Sequence, residues 1–204
     1  MCQMNAALRV GAEAPIRSKQ HEFNGFRGHA LPMAEHRSDL IHIVLVKPEI
    51  HPNTGNIARL CAANGLPLHL VGALGFRIDD RSVRRAGLDY WPYVDLRREA
   101  NLEELISSLP GSRLLYFSAR AEKPYTDIEY RIGDCLVFGP ESKGLPEELL
   151  RDNWSRALTI PMRTANVRSL NLSSSVAIAA YEALRQLSAV SCQLSAVRGD
   201  GLQR

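Results

Sequence analysis

Cysteine is scarce and scattered in this chain. Cys2, Cys61, Cys135 and Cys192 share no C-x-x-C spacing, which excludes a zinc cage or a disulfide frame and reads as free thiols in a reducing compartment. The six histidines, His21, His29, His36, His42, His51 and His69, form no metal-ligand spacing either, so no metal is expected. No apolar run approaches the roughly 20 residues needed to cross a bilayer. The N-terminus lacks the apolar segment of a secretory signal. These absences point to a soluble cytoplasmic protein without a membrane partner. Neither charge sign dominates: 25 Lys+Arg against 22 Asp+Glu give a net charge of +3. A nucleic-acid partner would have to be held by a local basic patch and not by the field of the whole chain.

What is present suits one domain with a core of ordinary size. Of 204 residues, 45% are hydrophobic and 23% charged, near the globular average. Residues 1–39 show no sustained period of 2 or 3.6 and read as a disordered extension, with Met33 a possible second start. Residues 189–204 read as a flexible tail, although the QLSAV of 186–190 recurs at 193–197 and could extend the last helix. Between them, residues 40–188 form the domain.

Its pattern alternates. LIHIVLVK (40–47), PLHLVG (67–72), RLLYFSA (113–119), DCLVFG (134–139) and ALTIPM (157–162) are apolar runs of strand length. Helices are expected from Asn53 or Thr54 to about Gly65, over 81–87 and 101–108, from Pro146 as first helical residue to 152, and over 171–187. The last carries an apolar stripe of Leu172, Val176, Ala179, Ala180, Ala183, Leu184 and Leu187. The expected class is α/β, a mainly parallel sheet flanked by helices, with ligand sites beyond the strand C-termini.

Three segments fall at such places. EIHPNTGNIARLCAANG (49–65) is a strand-to-helix turn whose free N–H groups suit an anion such as phosphate, with Arg59 one turn further on. LVFGPESKGLPEELL (136–150) has the G-x4-G spacing of a P-loop in Gly139 and Gly144. Leu145 and Pro146 then stand where that motif needs Lys and Ser/Thr, so the P-loop is rejected. Gly139 there would let a ligand approach the backbone. IPMRTANVRSLNLSSSVAIAAYEAL (160–184) ends a strand at Pro161 and offers Ser169 or Asn171 as cap of an apolar helix, with Ser173, Ser174 and Ser175 oddly placed for a buried one. No G-x-S-x-G elbow exists for a serine hydrolase, and no G-x-G follows the first strand as a Rossmann-type methyltransferase would need.

Together, N-T-G-N-I-x-R-L-x-A, F-G-P-E-S-x-G-L-P, and I-P-M followed by R-S-L-N-L-S-x-x-V resemble the SPOUT methyltransferases, over about residues 40–188 and including R-R-A-G-L-D-Y at 84–90. The likeness is greatest to the small RNA ribose 2′-O-methyltransferases of the tRNA cytidine/uridine-34 group. The resemblance implies a C-terminal deep trefoil knot, a homodimer with a site built from both chains, and the tRNA anticodon stem-loop as substrate. It implies S-adenosylmethionine held near Phe117, Gly139, Ile160 and Ser169. It points to Arg59 for catalysis, as a clamp on a neighbouring phosphate, since a guanidinium keeps its proton to about pH 12. Asn53 and Asn171 would orient substrate and loop, Glu141 would organise the site, and Tyr181 would support RNA or dimer contacts. Methylation of another tRNA or rRNA position, or RNA binding without catalysis, is the competing expectation.

Overall fold

Five apolar residues and one histidine make β1 (Ile41–Val46), and all six positions are buried. Such a run needs a layer on each face, as a central parallel strand has. The computed structural model describes residues 40–75, 90–164 and 166–199, the segment 189–199 as helical backbone alone. The expected extension at 1–39 and helix at 81–87 lie outside the described residues.

Beside β1 stand β2 (Leu68–Val71), β3 (Leu96–Glu99), β4 (Leu114–Phe117), β5 (Asp134–Phe138) and β6 (Ala157–Leu158), in the order β3-β2-β1-β5-β4-β6 with every pair parallel. The helices are α1 (His51–Asn64), α2 (Leu102–Ser108), α3 (Glu147–Asp152) and α4 (Leu172–Gly199). The period of two sorts the core onto two faces. Ile41, Ile43 and Leu45 join Leu68, Leu70, Leu115 and Leu136 against α1 and α4. Val44 and Val46 join Val71, Leu114, Cys135 and Val137 against Leu105 of α2 and Leu150 of α3. The α/β class with a parallel sheet between helices is therefore what the chain adopts.

Four details differ from the sequence reading. The edge strand β3, LRRE, is mostly half-exposed and has no apolar alternation to announce it; it forms because Leu68 pairs with Leu96 and Val71 with Glu99, and its charges suit a sheet edge. Pro146 is the N-cap of α3 and Glu147 its first residue. α4 runs on through both QLSAV copies to Gly199, longer than the helix expected over 171–187, as the repeat allowed. Its stripe is as expected, with Val176, Ala179, Ala180, Ala183 and Leu187 buried. Ser173, Ser174 and Ser175, however, lie on its first, unburied turn.

Polar groups cross the buried side of one sheet half. His42 Nδ1 lies 3.0 Å from His69 Nε2, and His69 Nδ1 lies 2.7 Å from Glu99 Oε1. All six strands point one way, so their C-terminal ends share one edge of the sheet. The chain leaves β1 towards β2 and leaves β5 towards β6, on opposite sides. The gap between the loops after β1 and β5 is where open α/β sheets place a ligand.

Candidate active site

A cavity of about 550 Å³ opens there, within the range of small-molecule sites. The loop after β4 supplies Phe117, Ser118 and Arg120; the loop after β5, Gly139 to Gly144; the stretch after β6, Ile160 and Met162; the approach to α4, Arg168 to Leu172; and α1's entrance, Ile50 and Asn53. Phe117 and Phe138 stack with ring centroids 4.7 Å apart and form an apolar wall.

Glu141 fastens these segments. Its carboxylate accepts from the backbone N–H of Glu49 at 2.9 Å, from that of Ile50 at 3.2 Å, and from Asn53 Nδ2 at 3.0 Å. Glu49 answers: its own carboxylate accepts from Ser142 N–H at 3.0 Å and Ser142 Oγ at 2.9 Å. Asn53 Oδ1 in turn accepts from Asn171 Nδ2 at 3.0 Å. Asn171 Oδ1 accepts from Ser173 N–H and Oγ at 2.9 and 2.7 Å, capping α4. Side chains from three loops thus form one continuous run of hydrogen bonds.

This geometry corrects two expectations about the entrance of α1. α1 begins at His51 with Ile50 as N-cap and no side-chain cap, so neither Asn53 nor Thr54 caps it. The anion at its entrance is Glu141 of the same chain, where the helix dipole favours negative charge; the turn does not present an open row of N–H groups for phosphate. Gly139 lines the cavity and is also required by the loop itself. A Cβ on it would fall onto the backbone of Gly144 and Leu145, because the loop folds back through a Gly144 N–H to Pro140 C=O bond of 2.8 Å.

Asn53, Glu141, Asn171, Phe117, Gly139, Ile160 and Ser169 all line the cavity. Arg59 and Tyr181 do not. Arg59 is exposed on α1, its guanidinium carbon 4.6 Å from the centroid of the Tyr90 ring, and Tyr181 is 57% exposed on α4. Sequence reasoning missed Glu49, Arg120 and Lys143. Each stands within a few residues of a strand C-terminus, the signal that could have found them. Lys143, Arg120 and Arg168 line the cavity, and none forms an ion pair among the described residues. The described residues contain no group of three or more His, Cys, Asp or Glu that could hold a metal ion, and no described helix is long and apolar enough to cross a membrane.

Residues 40–181 match the model of the SpoU rRNA Methylase family. The chain belongs to that family. Its SpoU domain is 46% identical over 149 residues to a tRNA (cytidine(34)-2′-O)-methyltransferase of Methylovorus glucosotrophus, covering 72% of this chain and 96% of that protein. A solved structure concerned with the 2-OH methylation of C/U34 on tRNA is 50% identical with a TM-score of 0.67, over 74% of this chain and 99% of that one. An AdoMet-bound rRNA methyltransferase from Sinorhizobium meliloti is 27% identical with a TM-score of 0.61, over 72% of this chain and 56% of that one. The SpoU match ends at Tyr181, so the cavity and all the loops that build it lie within it.

Proposed function

We propose that this protein transfers a methyl group from S-adenosylmethionine to the ribose 2′-hydroxyl of the wobble nucleotide, cytidine or uridine 34, in tRNA anticodon loops, working as a cytoplasmic homodimer. The observation that carries the reading is the Glu141–Asn53–Asn171 run of hydrogen bonds at the mouth of a cavity walled by the loops after β4, β5 and β6. Relatives named for this reaction align over nearly their whole length.

The cavity's chemistry fits the cofactor. Apolar Phe117, Phe138, Ile160 and Leu172 suit an adenine, hydroxyls of Ser118, Ser169 and Ser175 suit ribose, and Arg120, Lys143 and Arg168 suit a carboxylate. When bound, the cofactor supplies an electrophilic methyl group on a sulfonium. The protein's share is alignment and help to a weakly acidic hydroxyl. Asn53 and Asn171 orient the loop and substrate, and Glu141 holds Asn53. Arg59 does not line its own chain's cavity, which suits a site completed by the second protomer. There its planar fork clamps the neighbouring phosphate, lowers the hydroxyl's pKa, and leaves the proton to water or phosphate. Tyr181, exposed on α4, supports the contact between protomers or with RNA. A deep trefoil knot after β6 goes with this reading, supported by the convergence of three loops on one cavity.

The test is methylation of tRNA transcripts by the full-length protein with labelled cofactor, followed by mapping of 2′-O-methyl sites. Label at nucleotide 34 is expected. Label at another tRNA position, or only in rRNA, would replace the substrate. Cofactor binding without transfer to any RNA would make the chain a non-catalytic RNA binder.

A further inference from the structure

Arg59 has the makings of a phosphate clamp but no visible means of being held ready. It is exposed and forms no ion pair among the described residues. A free arginine side chain samples many rotamers, and clamping a phosphate restricts them. What it does have is Tyr90. The guanidinium carbon lies 4.6 Å from the ring centroid, within cation–π range. The tyrosine is fixed in turn: its hydroxyl donates to the Gly55 carbonyl at 2.9 Å. Gly55 is one turn before Arg59, and in a regular helix its carbonyl also takes the Arg59 N–H. The ring packs against the core cluster that includes Ile57 and Ala58 of the same helix.

We propose that Tyr90 is a positioning residue, holding the Arg59 guanidinium by its ring face so that the in-plane N–H donors stay free for an RNA phosphate. The choice of an aromatic matters chemically. A carboxylate would hold Arg59 more tightly but would occupy the fork that must bind phosphate. A π face meets the guanidinium plane and leaves its edge open. Tyr90 touches no reacting atom; it acts through Arg59, and the inference rests on the role given to Arg59 above.

The experiment is a double-mutant cycle in the full-length protein. Tyr90→Leu keeps apolar volume and loses the ring. It should lower single-turnover methylation of tRNA three- to tenfold with cofactor affinity unchanged, and Tyr90→Phe should recover most of the loss. In an Arg59→Ala background, Tyr90→Leu should add less than twofold. A full further loss in that background would overturn the proposal, as would wild-type turnover in Tyr90→Leu. An independent readout is the NMR signal of Arg59 Nε–Hε, shifted by the Tyr90 ring current and expected to move in Tyr90→Leu while the melting temperature of Tyr90→Phe stays near wild type. An unmoved signal would overturn the contact itself. A wild-type protein that methylates no RNA, with the ring-current shift intact, would instead defeat the assigned reaction and leave the contact standing.

Discussion

Asn53 and Glu141 meet across 88 residues of chain, Asn53 Nδ2 donating to Glu141 Oε1 at 3.0 Å. With Glu49 and Ile50 N–H also donating to it, the carboxylate sits at the positive end of α1 with three hydrogen bonds. Asn53→Asp would set a second carboxylate against the first. It should cost more stability than Asn53→Ala by about 1 kcal/mol at neutral pH. Urea unfolding of both variants checks this. Equal costs at neutral pH would mean that the two side chains do not meet as described.

Gly139→Ala tests the loop that folds on itself. The added Cβ meets backbone of Gly144 and Leu145, which cannot swing aside as a flexible side chain could. A loss of about 2 kcal/mol or more is expected, with weakened cofactor binding as its consequence. Gly144→Ala meets open space but adopts φ +69°, and should cost only about 1 kcal/mol. Thermal melts rank the two. A Gly139→Ala protein as stable as the parent would remove the close approach.

His69 and Glu99 form a pair of which 1% and 7% of the side-chain surfaces are exposed. Removing one partner of such a hydrogen-bonded pair leaves a buried polar group unsatisfied, at about 1–3 kcal/mol, whereas replacing both by apolar groups can be near neutral. His69→Leu is therefore expected to destabilise strongly and His69→Leu/Glu99→Leu much less. Chemical denaturation of the single and double variants decides the matter; a double variant worse than the single would contradict the pairing.

Burial pushes the thiols of Cys61 and Cys135 up from 9.0 to about 12. The folded state keeps protons that the unfolded chain sheds, so this contribution is whole below pH 9 and is lost as pH rises from 9 towards 12. Each thiol can contribute a slope of up to about 1.4 kcal/mol per pH unit. Tyr116 and Tyr130, also raised by burial from 10.0, join the decline only above pH 10. Stability measured at pH 8, 9 and 10 should fall across the last interval, and fall less in Cys61→Ala/Cys135→Ala. The same slope in both proteins would remove the thiols from the effect.

The buried strands were legible because burial on both faces demands unbroken apolar runs, as in Ile41–Val46. The edge strand Leu96–Glu99 was not, since its existence depends on β2 and not on its own residues. The cavity's loops were legible from their place after strands and from family likeness. The work of Asn53 was hidden, because a capping asparagine and one bridging Glu141 to Asn171 look alike until residues far apart in sequence are brought together. The second reason for Gly139 was hidden likewise: the backbone that crowds it is that of Gly144 and Leu145, and only the folded loop shows it.

A sheet in which Ile41 pairs with Asp134 has a consequence for biosynthesis. When β1, β2 and β3 have left the ribosome, β1 still shows an unpaired edge with an apolar run on it, and its second neighbour has yet to be translated. Such an edge is a template for pairing with other chains, and a parallel crossover cannot be closed locally. Until β5 is synthesised, that edge of the nascent protein stays open to pairing with other chains. Mutations that slow translation between Glu99 and Asp134 should lower the yield of soluble protein without touching the stability of the molecules that finish.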